Sequence, residues 1–263
     1  MYQFFSKPDG YCARCGDLRC SVTEHRVSPA PDFLRGVRAL FMTDFHATPH
    51  TREADMDALT ERAAALRPDI VLLGGDYADE AGPARRLFEH LSRLSAPLGV
   101  FGVLGNNDRE AFRDYGELRR LMARAGFTLL VNAAQTVPVN GGRLIVAGLI
   151  DYRYGHPKSD GLYPVKPTPG CYRLLLSHYP RVIQPMPDLM LSGHTHGGQF
   201  NLLGVTPYAI GFERILARKR ASRYIAGLHE YRGARVLVSK GIGASRIPLR
   251  IGVKPEINLI RFD

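Results

Sequence analysis

Asp44, His46, Asp76, Asn106, His178, His194 and His196 each stand where an apolar run of the chain ends. The runs close in TDFH, GGDYAD, GNND, LLLSH and LSGHTH, so carboxylate, imidazole and amide oxygen recur at the same point of separate segments. This donor set suits Mn²⁺, Fe or Zn²⁺, whereas a set of thiolates would suggest a closed zinc site. In extended chain, residues i and i+2 face one side, so Asp44 with His46, and His194 with His196, can each converge on one cavity. Glycines precede Asp76, Asn106 and His194 and follow His196. They let the backbone turn tightly and leave room for a metal and a substrate. A lone His or Asp at a strand end is more often a cap or a surface group than a ligand. Here four of the nine histidines share the pattern, which reverses that balance.

The elements that must position these residues alternate. GVRALFMTDFH reads as a buried strand, and Met56, Leu59, Ala63 and Leu66 then recur at helical spacing until Pro68 stops the helix. DIVLLGGD is a second strand, ARRLFEHLSRLSA a helix, LGVFGVLGNND a third strand, and a helix follows from about Glu110 to Arg124. This β/α order brings strand ends side by side and places functional residues in the loops that follow them. From Phe127 the texture turns to short strands, FTLLV, QTVPV and RLIVAGLI, with a hairpin signal at NGG, and then YRLLLSH, DLMLSGH, ARVLVSK and INLIRF. DYRYGHPKSDGLYPVKPTPG reads as a long surface loop that could cover a site. The expectation is a single domain over 1–263, with 1–31 as a Cys-containing extension.

TDFH, GGDYAD, GNND, SH and GHTHGGQ, in this order, resemble the motifs of the calcineurin-like metallophosphoesterase superfamily, commonly DxH, GDxxD, GNH(D/E), H and GHxH. The likeness covers about Val37 to His196. GHTHGGQF and LVSKGIGASRIPLRIGVKPEINLI also resemble a bacterial branch whose members act near membranes or the envelope. The resemblance implies an α/β fold, a four-layer αββα sandwich of two mixed sheets. It implies two divalent ions, Mn²⁺ first with Fe or Zn²⁺ as alternatives. One would be held by Asp44, His46, Asp76 and His196, the other by Asp76, Asn106, His178 and His194, with Asp76 as the bridge. Two such ions about 4 Å apart lower the pKa of a bridging water and clamp the phosphoryl oxygens.

Asn107 departs from that pattern, standing where the superfamily usually has a His that helps to protonate the leaving group. An amide cannot act as a general acid at neutral pH, and such a loss costs ~10²–10⁴ in rate when the leaving group is poor. The expected activity is therefore hydrolysis of phosphodiesters or pyrophosphate-type linkages, with Asn107 donating to a phosphate oxygen. His50 and His156 are the candidates to replace the missing acid. Asp108, and Asp79 with it, would act by orienting neighbours, and Arg109, Arg246 and Arg250 are candidate phosphate contacts. Alternatives are a pyrophosphatase on a nucleotide-linked lipid such as UDP-2,3-diacylglucosamine, a nuclease, and a metal-free interaction scaffold. A nucleic-acid partner is not expected, because basic and aromatic residues are not interleaved along the chain.

Composition leaves these readings standing. The chain has 263 residues, 45% hydrophobic, with a formal net charge of +10 that attracts anions of any kind. RILARKRASR, from Arg214 to Arg223, could meet an anionic membrane surface from the side. No apolar run approaches the ~18 residues of a membrane span, and the first thirty residues do not read as a secretory signal. A cytoplasmic location is expected, at most peripheral to the inner membrane, with the oligomeric state open. Cys12, Cys15 and Cys20 could bind zinc with His25 or form a disulfide, though plain reduced thiols are the stronger reading.

Overall fold

The computed structural model describes residues 18–181, 183–201, 225–245 and 249–263. Its first half runs β1 (Ser21–Val27), β2 (Arg38–Met42), α1 (Glu53–Ala65), β3 (Ile70–Leu73), α2 (Ala81–Leu91), β4 (Val100–Gly102), α3 (Asp108–Ala111), α4 (Tyr115–Arg124) and β5 (Thr128–Leu129). Then follow β6 (Ala133–Val139), β7 (Gly142–Gly148), β8 (Cys171–Leu176), β9 (Leu189–Ser192), β10 (Gly227–Tyr231), β11 (Ala234–Val238) and β12 (Glu256–Phe262).

Strand β2 shows why the layers form. Ala39 and Phe41 face one way and Leu40 and Met42 the other, and all four are fully buried. A strand apolar on both faces has to be covered on both. Ala39 and Phe41 join a core shared with Leu144, Leu174, Leu176, Leu191 and Leu237 of a second sheet. Leu40 and Met42 pack instead with Met56, Leu59, Leu87, Phe88, Leu118 and Met122 of the helices. Each Leu, Met or Phe side chain buried in this way contributes ~1.5–3 kcal/mol.

The first sheet has the order β1-β12-β2-β3-β4-β5 and the second β10-β11-β9-β8-β7-β6. In the first, β2, β3, β4 and β5 are parallel and β12 runs antiparallel to β2. In the second, β7, β8, β9 and β11 are parallel, with β6 and β10 antiparallel at the edges. The fold is thus two mixed sheets face to face with helices outside. Helices α1, α2 and α4 cover the first sheet, while Leu162, Tyr163 and Ile183 pack on the outer face of the second. Among the described residues, no helix is long and apolar enough to cross a membrane.

Most elements fall where the sequence places them, with three differences. The helix expected over 110 to 124 is two, α3 and α4, because Phe112 turns to extended backbone and Asp114 starts the second. Strands β1 and β10 are additional. Their burial alternates residue by residue without a wholly buried run, so SVTEHRV and GLHEY carry little apolar signal. Strand β1 lies inside the segment read as an extension and pairs along its full length with β12.

The long 151 to 170 loop is tied down rather than loose. Arg173 donates to the carbonyls of Pro164 and Val165 at 3.1 Å each, and its guanidinium grips Asp188 at 2.7 and 3.1 Å. The Tyr163 hydroxyl donates to Pro185 O at 2.9 Å, and Ser159 to Gln184 O.

Candidate metal centre

Every candidate ligand follows the C-terminal end of a parallel strand: Asp44 and His46 after β2, Asp76 after β3, Asn106 after β4, His178 after β8, and His194 and His196 after β9. The two sheets therefore present their ligands at one end of the molecule, outside the carboxyl ends of the strands. Pairing continues past the strands, with Asp44 N–H on Gly75 O at 3.0 Å, His46 N–H on Asp76 O at 3.1 Å and Gly193 N–H on His178 O at 3.0 Å. These bonds hold the loops in register with the sheets behind them.

The backbone there is strained. Asp44 (φ 55°), His46 (44°), Asp76 (53°), His194 (70°) and His196 (52°) all lie in the left-handed region. Such residues cost of order 1–3 kcal/mol each and gather at functional sites, where the surroundings enforce them. Glycines permit the close approach. A Cβ at Gly105 would lie 2.1 Å from Asp76 Oδ1, and one at Gly193 would lie 2.2 Å from Asp44 Oδ2.

The side chains converge. Asp76 Oδ2 lies 3.4 Å from His46 Nε2 and 3.3 Å from His178 Nε2. His196 Nε2 lies 3.4 Å from Asp44 Oδ1. Asn106 Oδ1 is 3.2 Å from His178 Nε2 and 2.7 Å from His194 Nδ1. Asp44, His46 and His196 form one group able to hold an ion, and Asp44, Asp76 and His178 form another, the donor atoms of each lying within 4.8 Å of one another. Among the described residues, the buried Nε2 of His46 has no hydrogen-bond partner. One carboxylate oxygen, Asp76 Oδ2, at 3.4 and 3.3 Å from two buried imidazole nitrogens has the spacing expected of donors to a common ion with bonds of ~2.0–2.2 Å. Nitrogen and oxygen donors without thiolate fit a divalent ion of the Mn²⁺, Fe or Zn²⁺ kind.

Outer contacts aim the candidate ligands. His46 Nδ1 bonds Asp79 Oδ1 at 2.9 Å and His178 Nδ1 bonds Gly74 O at 2.8 Å, which leaves each Nε2 pointing inward. His194 N–H donates to Asp44 Oδ1 at 3.0 Å, joining the end of β9 to that of β2. Asp108 is fully buried and accepts the N–H groups of Asp76, Tyr77 and Gly105 at 3.0, 2.8 and 2.7 Å, so it orients the loops. Asn107 donates its N–H to Asp76 Oδ1 at 2.8 Å, and its side-chain Nδ2 is 3.4 Å from His46 Nδ1.

Electrostatics follow from burial and close charge. Burial would raise the Asp76 carboxyl, but His178 and His46 hold it well below the usual range. Burial would depress His46, yet Asp76 and Asp79 outweigh it and raise its pKa to about 10. His178 is raised well above its ordinary value against the effect of burial, chiefly by Asp76. His196 goes the other way, pushed well down by burial and by the Arg250 guanidinium.

Arg250 is not the surface phosphate contact that its sequence position suggests. It is buried beneath the site, donating to Gly243 O at 2.7 Å, to His196 O at 3.3 Å and to His196 Nδ1 at 3.0 Å. Arg109 is exposed, lies over the Tyr154 ring at 6.0 Å and bonds the Arg153 carbonyl. His50 and His156 are exposed too, and their backbones bond Thr48 and Asn132. His25 bonds Asn258 Oδ1 at 2.9 Å from within β1. Arg246, the 214 to 223 run, Cys12 and Cys15 lie outside the described residues.

Two further residues escape a reading of the sequence. Gln199 bonds Ser245 N–H and the carbonyls of Ser245 and Leu249 at 3.1, 3.1 and 3.2 Å, stitching the C-terminal segment to the loop after His196. Asp151, after β7, is buried, which raises its carboxyl, while His178 draws it back down. Gln199 closes the GHTHGGQ motif without being one of its candidate ligands, and Asp151 is marked only by its position after an apolar run.

The model of the calcineurin-like phosphoesterase family matches residues 37–198. The uncharacterized metallophosphoesterase YkuE of Bacillus subtilis is 26% identical over 260 residues, covering 95% of this chain and 88% of that protein. The phosphodiesterase YaeI of Escherichia coli is 28% identical over 264 residues, covering 96% and 92%. The uncharacterized protein YpbG of Bacillus subtilis is 30% identical over 219 residues, covering 80% and 76%. With the family match running through every strand end that carries a candidate ligand, the chain belongs to the calcineurin-like phosphoesterase family and is a metal-dependent phosphoester hydrolase.

Proposed function

We propose that this protein is a phosphodiesterase working with two divalent ions, Mn²⁺ first. Asp44, His46, Asp76 and His196 would hold one, and Asp76, Asn106, His178 and His194 the other. The observation that carries this is Asp76, whose single oxygen Oδ2 lies within 3.4 Å of both His46 and His178 and so reaches both halves of the cluster. When bound, such ions supply Lewis-acid activation of water and charge compensation on the phosphoryl oxygens.

The chain's own residues do the rest. Asp79 and the Gly74 carbonyl set the inward nitrogens of His46 and His178, and Asp108 holds Asp76 at its station. Asn107, buried beside His46, offers an amide where an acid would be needed for alkyl monoesters. An amide donates a hydrogen bond but not a proton, which favours diesters and pyrophosphate linkages whose leaving group departs without one. The kinship with a protein named phosphodiesterase points the same way.

The test is metal analysis of the purified chain together with rates on bis(4-nitrophenyl) phosphate, an alkyl aryl diester and an alkyl monoester, each with Mn²⁺ supplied. Two ions per chain and faster diester turnover are expected, with Asp76→Asn losing both. Faster turnover of the alkyl monoester would overturn the diesterase reading.

A further inference from the structure

Beside the centre the surface changes its chemistry. His194 is half-exposed, and the ring of Tyr179 lies against its imidazole with centroids 4.5 Å apart. Tyr152 meets Tyr179 edge-on at 6.4 Å and an interplanar angle of 82°. The Arg181 guanidinium lies over the Tyr152 ring at 5.7 Å and donates to its hydroxyl at 3.3 Å. Tyr152 is 39% exposed and Arg181 is exposed.

Chain order hides this row. Tyr152 comes from the loop after β7, whereas Tyr179 and Arg181 come from the segment after β8, and only the pairing of β7 with β8 brings them together. None of the three belongs to the buried clusters that hold the sheets. Aromatic rings leading outward from a ligand candidate offer stacking faces to a planar ring, and a guanidinium adds a planar cation that also pairs with phosphate.

We propose that Tyr179, Tyr152 and Arg181 form a shelf that receives the base of a nucleotide-type substrate whose phosphoryl group lies at the centre. This rests on the phosphodiesterase reading, and it names the substrate class. Stacking on such a shelf is tolerant of base identity, since every base has a π-face. The shelf therefore selects for a nucleotide over a sugar phosphate and not for one base over another.

The experiment compares adenosine 5′-monophosphate with ribose 5-phosphate, which share the phosphorylated ribose and differ in carrying adenine or a free hydroxyl at C1, as ligands of the full Mn²⁺-loaded chain by titration calorimetry. The wild type should bind the nucleotide about tenfold more tightly, within the range that stacking on an aromatic side chain provides. Tyr152→Ala and Tyr179→Ala should bring the ratio towards one, and Tyr152→Phe, which keeps the ring, should preserve it. Equal binding by the wild type, or a preference that survives both alanine variants, overturns the shelf. Hydrolysis of bis(4-nitrophenyl) phosphate in the same samples reports on the diesterase reading separately. Absent turnover with an intact nucleotide preference would refute that reading and leave the shelf supported.

Discussion

Asp108 accepts the backbone N–H of Asp76 at 3.0 Å, and through the same oxygen it accepts that of Gly105 at 2.7 Å. One buried carboxylate thus joins the loop after β3 to the loop after β4, each of which carries a candidate ligand. Asp108→Asn turns an acceptor into a group that must face some of these N–H donors with its own. Unsatisfied buried donors cost ~1–3 kcal/mol, and loss of such an outer contact typically costs 10–100-fold in metal affinity. Denaturant unfolding and metal titration should show both losses without loss of the fold.

Loading the metal-free protein with Mn²⁺ should release protons. In the metal-free pocket the carboxylates raise His46 to about 10 and His178 well above its ordinary value, both towards the protonated form, whereas a ligand imidazole is neutral. The sign for folding follows too. A histidine whose folded pKa exceeds its unfolded value adds stability to the metal-free protein below pH ~6.5, lost as pH rises through the folded value. Calorimetry in buffers of different ionisation enthalpy should show net proton release and an affinity that rises from pH 6 to 8; no release would contradict the charge state derived for these histidines.

Asn107→His should place a proton donor beside the phosphoryl group. Hydrolysis of alkyl monoesters should rise by roughly tenfold or more, at the modest end of general-acid effects, while rates on nitrophenyl diesters change little because their leaving group needs no proton. Steady-state kinetics on both substrates would check this. A variant with no gain on monoesters would show that position 107 does not govern the preference.

Gly105→Ala should cost more than its single methyl suggests. The new Cβ would sit 2.1 Å from Asp76 Oδ1 and 2.3 Å from Asp76 N, both held in place by their own bonds. Strain of this kind costs ~1–3 kcal/mol, and displacement of Asp76 should lower activity by at least about 100-fold, as small misplacements of reacting groups do. Activity and melting temperature, read together, would separate the two effects.

Arg173→Ala should loosen the 151 to 170 loop. The guanidinium is almost wholly buried, and its removal leaves the carbonyls of Pro164 and Val165 without their donor and Asp188 with only the residue 173 backbone N–H, at 2.7 Å. Breaking a buried pair in this way costs ~3–5 kcal/mol, less for a partly exposed partner such as Asp188. Denaturant unfolding should show the loss, and hydrogen exchange should rise first in the loop.

The candidate ligands were legible because metal chemistry restricts residue type and strands restrict spacing. Asp44 and His46 announce themselves as a pair even before a fold is known. The roles of Arg250 and Gln199 were not legible, although Arg250 was a candidate phosphate contact and Gln199 closes GHTHGGQ; they are set by contacts with His196, Ser245 and Leu249, which only the folded chain brings near. The parallel strands were legible as apolar runs buried on both faces. Strands β1 and β10 were not, because exposed residues alternate with half-buried ones along each. The shelf was hidden for a related reason, its members being neighbours across two loops rather than along one.

The left-handed backbone at Asp44, His46, Asp76, His194 and His196 has a practical consequence for anyone editing this protein. Outside glycine, that conformation is best tolerated by Asn, Asp and His and worst by β-branched residues. The vocabulary open to these positions is thus restricted twice, by what a metal accepts and by what the main chain permits. Asparagine is the substitution easiest on the main chain there, but it keeps an amide oxygen of the kind Asn106 offers, and a valine or isoleucine scan would report on torsional conflict instead of on metal binding.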